Sequence, residues 1–120
     1  KSGLELFVGA KKEKGFGHLI LAGLGGIFIE VFKDIASGLS PVGRNEALSM
    51  IHHLKSYPLI KGIRGKQGAD ENKLADVIVN LSALLDMAPE IIEIDLNPLM
   101  GNKEDLTAVD VRIRIEKKQS

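Results

Sequence analysis

The 120-residue sequence contains no cysteine and no tryptophan. Without thiols it has neither a disulfide scaffold nor a zinc site built on thiolates, and the composition suits a reducing, cytoplasmic setting. Aromatic residues are scarce, one Tyr and four Phe, too few for a platform on which nucleic-acid bases stack. Neither sign of charge predominates. Sixteen Lys and Arg balance sixteen Asp and Glu, and no cationic run marks a nucleic-acid groove. Long apolar runs are also missing: the longest, from Leu19 to Phe32, is broken by three glycines and Glu30 and is too short to span a bilayer. No signal-peptide pattern is visible. These absences predict a cytoplasmic protein with no nucleic-acid or membrane partner.

What is present suits one globular domain, since 44% hydrophobic and 27% charged residues put the chain outside the disordered class. The chain opens on Lys1-Ser2-Gly3 rather than Met and enters a strand pattern almost at once, the pattern of a piece of a larger protein.

The organising stretch is Ile91-Ile-Glu-Ile-Asp-Leu-Asn-Pro-Leu-Met100. It alternates with period two: Ile92, Ile94 and Leu96 share one face, and Glu93, Asp95 and Asn97 the other, with Pro98 as the stop. Downstream, residues 106–115 alternate in the same way, with Val109, Val111, Ile113 and Ile115 on one face and Ala108, Asp110, Arg112 and Arg114 on the other. The turn-forming residues 101–105 lie between the two runs. A hairpin with Asn97 opposite Asp110 pairs Asp95 with Arg112, Glu93 with Arg114, Leu96 with Val111, Ile94 with Ile113 and Ile92 with Ile115. Every pair is then apolar or charge-compatible, and a slip of one residue destroys all of them.

Upstream, residues 4–10 read as a strand, 11–15 as a charged turn, and 16–22 as the returning strand. Residues 27–32 read as a further strand and 34–39 as a weaker one. Ser40-Pro41 marks the change to helix. Ala47, Leu48, Ile51 and Leu54 keep helical spacing from Arg44 to about Leu54, and Pro58 ends that element. Asp70 is a good N-cap for a second helix over 70–87, whose stripe is Leu74, Val77, Ile78, Leu81, Leu84 and Leu85. Pro89 closes it. This order predicts an α+β layer, an antiparallel sheet with two main helices packed on one face.

Asp95, Asn97 and Asp110 can converge on facing strands, and hard oxygen donors of this kind suit Mg²⁺. A solvated sheet face with cross-strand ion pairs explains the same residues. Arg112 can touch a phosphate or neutralise Asp95. Gly23-Leu-Gly-Gly26 can offer backbone N–H groups at Gly25 and Gly26 to a phosphate, or form a tight turn; it does not complete a dinucleotide fingerprint. Arg64, within Gly62-Ile-Arg-Gly65, suits phosphate or carboxylate recognition, or is a solvated loop residue. His18, His52 and His53 read as surface or packing histidines. Ser37, Ser40 and Ser49 lack a neighbouring base pattern, so no acyl-transfer nucleophile emerges.

Five segments occur in order: Glu5-Leu-Phe-Val-Gly-Ala10, Gly23-Leu-Gly-Gly-Ile-Phe-Ile-Glu-Val-Phe-Lys-Asp34, Gly62-Ile-Arg-Gly65, Ile94-Asp-Leu-Asn-Pro-Leu99 and Ala108-Val-Asp110. Together they resemble the C-terminal half of the ATP-grasp domain of ADP-forming (NDP-forming) acyl-CoA synthetases, relatives of the succinyl-CoA synthetase β subunit. The resemblance implies that Asp95, Asn97 and Asp110 hold Mg²⁺ against the phosphates of ATP or ADP. Gly25, Gly26, Arg64 and Arg112 are then contributors on the phosphate side. It also implies partners: an upstream ATP-grasp half, and CoA-binding domains or a CoA-binding subunit that carries a phosphoryl-relay histidine. His18 stands where relatives often have a Pro-like residue and is not that relay. The implied reaction is acyl-CoA + ADP + phosphate ⇌ carboxylic acid + ATP + CoA, with this chain inactive alone. A similar domain also occurs fused to protein lysine acetyltransferases as a regulatory, non-catalytic part, which is the alternative reading.

Overall fold

A computed structural model describes residues 3–62 and 68–116. Ten elements follow one another: β1 (Leu4–Glu13), β2 (Gly17–Leu24), α1 (Ile27–Glu30), β3 (Ala36–Leu39), α2 (Arg44–His52), α3 (Tyr57–Lys61), α4 (Glu71–Met87), β4 (Ile91–Gly101), β5 (Leu106–Ala108) and β6 (Val111–Ile115). The strands form one antiparallel sheet in the order β3-β2-β1-β4-β5, and β6 pairs with β4 beyond β5.

Alternation decides which face of this sheet is covered. Leu6, Val8 and Ala10 of β1, Ile20, Ala22 and Leu24 of β2, and Ile94 and Leu99 of β4 are all buried in one core cluster. Two helices supply its other side. Ala47, Met50 and Ile51 come from α2, and Leu74, Ile78, Leu81 and Leu85 from α4. Removing each of the Val, Leu, Ile and Met side chains from water contributes about 1.5–3 kcal/mol, and each Ala less. The α4 helix starts where Asp70 predicts, its carboxylate accepting from the N–H groups of Asn72 and Lys73. An α+β layer with two main helices on one face is therefore what forms.

Four expectations are corrected. Residues 27–32 are not a strand: Gly26 takes a φ of +61°, turns the chain, and α1 begins at Ile27. Pro58 does not end a helix but sits in the first turn of α3, where its missing N–H costs nothing. Pro98 does not stop β4, which runs on to Gly101. The downstream run is interrupted at Val109 and Asp110, between β5 and β6. The exposure of β6 also departs from its pattern. Val111, Ile113 and Ile115 are each about half exposed, because α2 and α4 pack over β2 and β3.

Two buried polar groups tie the layers together. His18 joins strand to strand through a 2.7 Å hydrogen bond from its Nε2 to the carbonyl of Ile91, at the start of β4. Packing, not chemistry, is the role this gives it. Asp34, 7% exposed, accepts from the backbone N–H groups of Lys55 (2.9 Å) and Ser56 (2.8 Å). Burial alone would raise its pKa. The Ser56 hydroxyl, the two N–H groups and the Lys55 charge outweigh burial and hold the carboxyl below its usual range. Ser56 Oγ itself is buried with no hydrogen-bond partner among the described residues.

Since the folded pKa lies below the ordinary 3.8, the stability that Asp34 contributes is complete above that pH and fades as pH falls through the folded value. Asp34→Asn is expected to cost about 2 kcal/mol at pH 7, because one buried N–H loses its charged acceptor. Urea unfolding of both proteins at a series of pH values checks this. The gap should close only on the acid side; a gap independent of pH contradicts the account.

Candidate functional site

The face of the sheet opposite α2 and α4 carries the candidate residues. The register is the expected one over most of the hairpin: Asp95 lies opposite Arg112, Glu93 opposite Arg114, Leu96 opposite Val111 and Ile94 opposite Ile113. Asn97 meets Asp110 through a 3.1 Å bond from its N–H to the Asp110 carbonyl. At the far end a bulge between Ile91 and Glu93 places Ile91, not Ile92, opposite Ile115.

A second irregularity lies at the site itself. Leu6 pairs with Leu99 but Val8 with Leu96, so Asn97 and Pro98 together oppose the single residue Phe7. This bulge returns Leu99 to the core after Leu96, and bulges of this kind re-aim neighbouring side chains. The break between β5 and β6 lies across from it, with the Val109 N–H bonded to the Pro98 carbonyl at 2.9 Å. Asn97, in β4, and Asp110, between β5 and β6, thus lie across from each other at the same irregular point of the hairpin, with Asp95 two residues along β4.

Charge on this face is unevenly compensated. Arg114 is 3.0 Å from Glu93 and Arg112 is 3.5 Å from Asp110. Asp95 has no ion pair among the described residues. Its partial burial, with the negative charges of Glu93 and Asp110 nearby, pushes its carboxyl above the ordinary range despite the opposing charge of Arg112. Two carboxylates and an amide carbonyl that crowd negative potential together fit a hard cation and its octahedral oxygen shell. No group of three His, Asp or Glu suited to a metal occurs among the described residues; this donor set is of a different make.

Two clefts flank Asp95. One, of about 270 Å³, lies against Arg112 and Arg114. The other, of about 230 Å³, is walled by Phe7, Leu21 and Ile29 and reaches Asn97. The wall at Ile29 escapes a reading of the sequence in which residues 27–32 are extended. Gly25 spends its N–H on the carbonyl of Glu5 at 2.8 Å. Gly26 is exposed at the start of α1. Arg64 lies outside the described residues. His52 is held by Glu71 at 2.6 Å and His53 by the Ser49 carbonyl at 2.7 Å, so both serve helix contacts. No helix among the described residues is long and apolar enough to cross a membrane.

Comparison with known proteins adds an independent line. The ATP-grasp domain family matches residues 1–115. The chain is 40% identical over 111 residues to the β subunit of acetate–CoA ligase [ADP-forming] I of Pyrococcus furiosus, covering 92% of this chain and 48% of that protein. It is 43% identical over 115 residues to 4-hydroxybutyrate–CoA ligase [ADP-forming] of Nitrosopumilus maritimus, covering 94% of this chain and 16% of that protein. Among solved structures, the acetyl-coenzyme A synthetase 1 of Ca. Korarchaeum cryptofilum, in complex with coenzyme A and Mg-AMPPCP, superposes with a TM-score of 0.91 at 33% identity. That match covers 97% of this chain and 55% of the other. The chain therefore spans about half the length of the β-subunit relative and about a sixth of the longer one.

Proposed function

Because this chain belongs to the ATP-grasp domain family, we propose that its hairpin face holds Mg²⁺ and the phosphates of ATP or ADP in an ADP-forming acyl-CoA synthetase. The chain is the C-terminal half of the ATP-grasp module and forms a single domain. The reaction served is acyl-CoA + ADP + phosphate ⇌ carboxylic acid + ATP + CoA. The observation that carries this reading is the closeness of three oxygen-bearing residues on one hairpin: Asn97 is bonded to Asp110 across the break, and Asp95, two residues along β4, lies within reach of the Asp110 charge; relatives that are ADP-forming CoA ligases support it.

The residues of the face divide the work. Asp95 and Asp110 would supply charged oxygens to the metal, and Asn97 a neutral one, with none acting as acid or base. Mg²⁺, when bound there, offsets the charge that builds on the transferring phosphoryl group. Arg112, beside Asp110, limits the repulsion between the two carboxylates and is placed to meet a phosphate oxygen. Gly26 and Arg64 are assigned to the phosphate side, and Gly25 to shaping the turn that presents them. Phe7, Leu21 and Ile29 give the cleft on one flank an apolar wall. The upstream ATP-grasp half and the CoA-binding domains or subunit complete the clamp, in the cytoplasm.

Asn97→Ala in the full-length synthetase tests the reading by calorimetric titration with Mg²⁺ and ADP. Affinity for the metal–nucleotide pair should fall at least about tenfold with the melting temperature little changed. Unchanged affinity would overturn the assignment.

A further inference from the structure

The candidate ligands stand on β4, but the surface beneath one of them belongs to β1. Gly9 pairs directly with Asp95 and is buried. A Cβ added at Gly9 would lie 3.2 Å from Asp95 Oδ1 and 3.1 Å from the Ile94 carbonyl oxygen. Both approaches are tighter than ordinary van der Waals contact. Backbone conformation does not call for glycine here, since the glycines with positive φ among the described residues are Gly15, Gly17, Gly26 and Gly62. Phe7 and Lys11, on the same face of β1, both carry side chains. Space is what glycine provides at this position, the role expected of a strand glycine where another group comes close.

We propose that Gly9 is a positioning residue for metal selectivity: its missing side chain lets the Asp95 carboxylate lie across β1 in the orientation that a small octahedral cation requires. This rests on the reading of Asp95 as a metal ligand. Gly9 itself touches neither metal nor nucleotide. A methyl group at this position must displace Oδ1 by a few tenths of an ångström. Mg²⁺ demands near-ideal geometry at about 2.0–2.1 Å, whereas Ca²⁺ accepts flexible shells at about 2.3–2.6 Å. The displacement therefore penalises Mg²⁺ more than Ca²⁺.

The test is a double-mutant cycle in the full-length synthetase, reading Mg²⁺ and Ca²⁺ affinity in the presence of ADP. Gly9→Ala should weaken Mg²⁺ about tenfold, in the range of groups that orient a ligand, and Ca²⁺ less than threefold. In an Asp95→Ala background, Gly9→Ala should cost Mg²⁺ no more than twofold, because the group it acts through has been removed. Equal losses for both metals, or an undiminished loss in the Asp95→Ala background, would overturn the proposal. If Asp95→Ala alone leaves Mg²⁺ affinity unchanged, the metal reading fails and this inference with it; if Asp95→Ala weakens Mg²⁺ and Gly9→Ala does not, only the inference about Gly9 fails. Should Gly9→Ala not fold, Gly9→Ala with Asp95→Ala decides. Restored melting locates the clash at the carboxylate, and continued unfolding locates it at the Ile94 carbonyl and overturns the proposal.

Discussion

Asp110→Asn in the full-length synthetase is expected to slow phosphoryl transfer by about 10²–10³-fold, the usual cost of losing one preorganised electrostatic group, while leaving the fold in place. The side chain is exposed, it lies outside regular strand, and its one ion pair among the described residues, with Arg112, is itself exposed. Such a pair contributes at most about 1 kcal/mol, so stability should change little. The hairpin contact at this position uses the Asp110 carbonyl, which the substitution keeps. Asparagine retains the shape and one oxygen but removes the charge. Single-turnover formation of ATP from the parent's acyl-CoA, ADP and phosphate, together with a thermal melt, separates the outcomes. Normal turnover with a lowered melting temperature would return this face to a purely structural role.

Leu6→Ala is expected to have the opposite signature, a loss of about 3–4 kcal/mol of stability. Leu6 is fully buried at the centre of the sheet, paired with Leu24 on one side and Leu99 on the other. Its Cδ1 packs so closely that a Cβ on Gly101 would stand 3.1 Å away. Truncation leaves a cavity that three strands and two helices cannot close without moving, and Leu→Ala changes in such places cost about 2–5 kcal/mol. The loss would also reach the site, because the Leu6–Leu99 pair forms one flank of the bulge that holds Asn97. Urea unfolding of wild type and variant measures it; a loss under 1 kcal/mol would mean that the core around β1 is looser than its burial indicates.

The hairpin was legible in the sequence because charge and apolar character agree on a single register, and from Glu93 to Asn97 the pairs fall as expected. The α4 helix was legible through Asp70 and a stripe of leucines, isoleucine and valine. What escaped has local causes. The spacing Leu96-x-x-Leu99, three rather than two, is the trace of the bulge, but next to Pro98 it resembles a strand ending. Residues 27–32 are β-branched or aromatic apart from Glu30, the composition of a strand, yet Gly26 redirects the chain, and Ile29 comes to wall a cleft beside Asp95. A turn residue overrode a pattern. Gly9 gave no signal at all, because one glycine in a strand does not say which neighbour needs the space. The pairing of Asp95 with Gly9 depends on β1 and β4, more than eighty residues apart in sequence, and only the assembled sheet brings them together.

The measurement that tests the central claim most directly is paramagnetic broadening of amide NMR signals in the ¹⁵N-labelled chain as Mn²⁺ and ADP are added. Mn²⁺ takes the same oxygen donors as Mg²⁺, and broadening detects a site at low occupancy. The account predicts that the amides of Asp95, Asn97 and Asp110 disappear first, followed by those of Gly9 and Arg112 around them. Broadening that begins at His52 and Glu71, or that leaves the hairpin untouched, would contradict it.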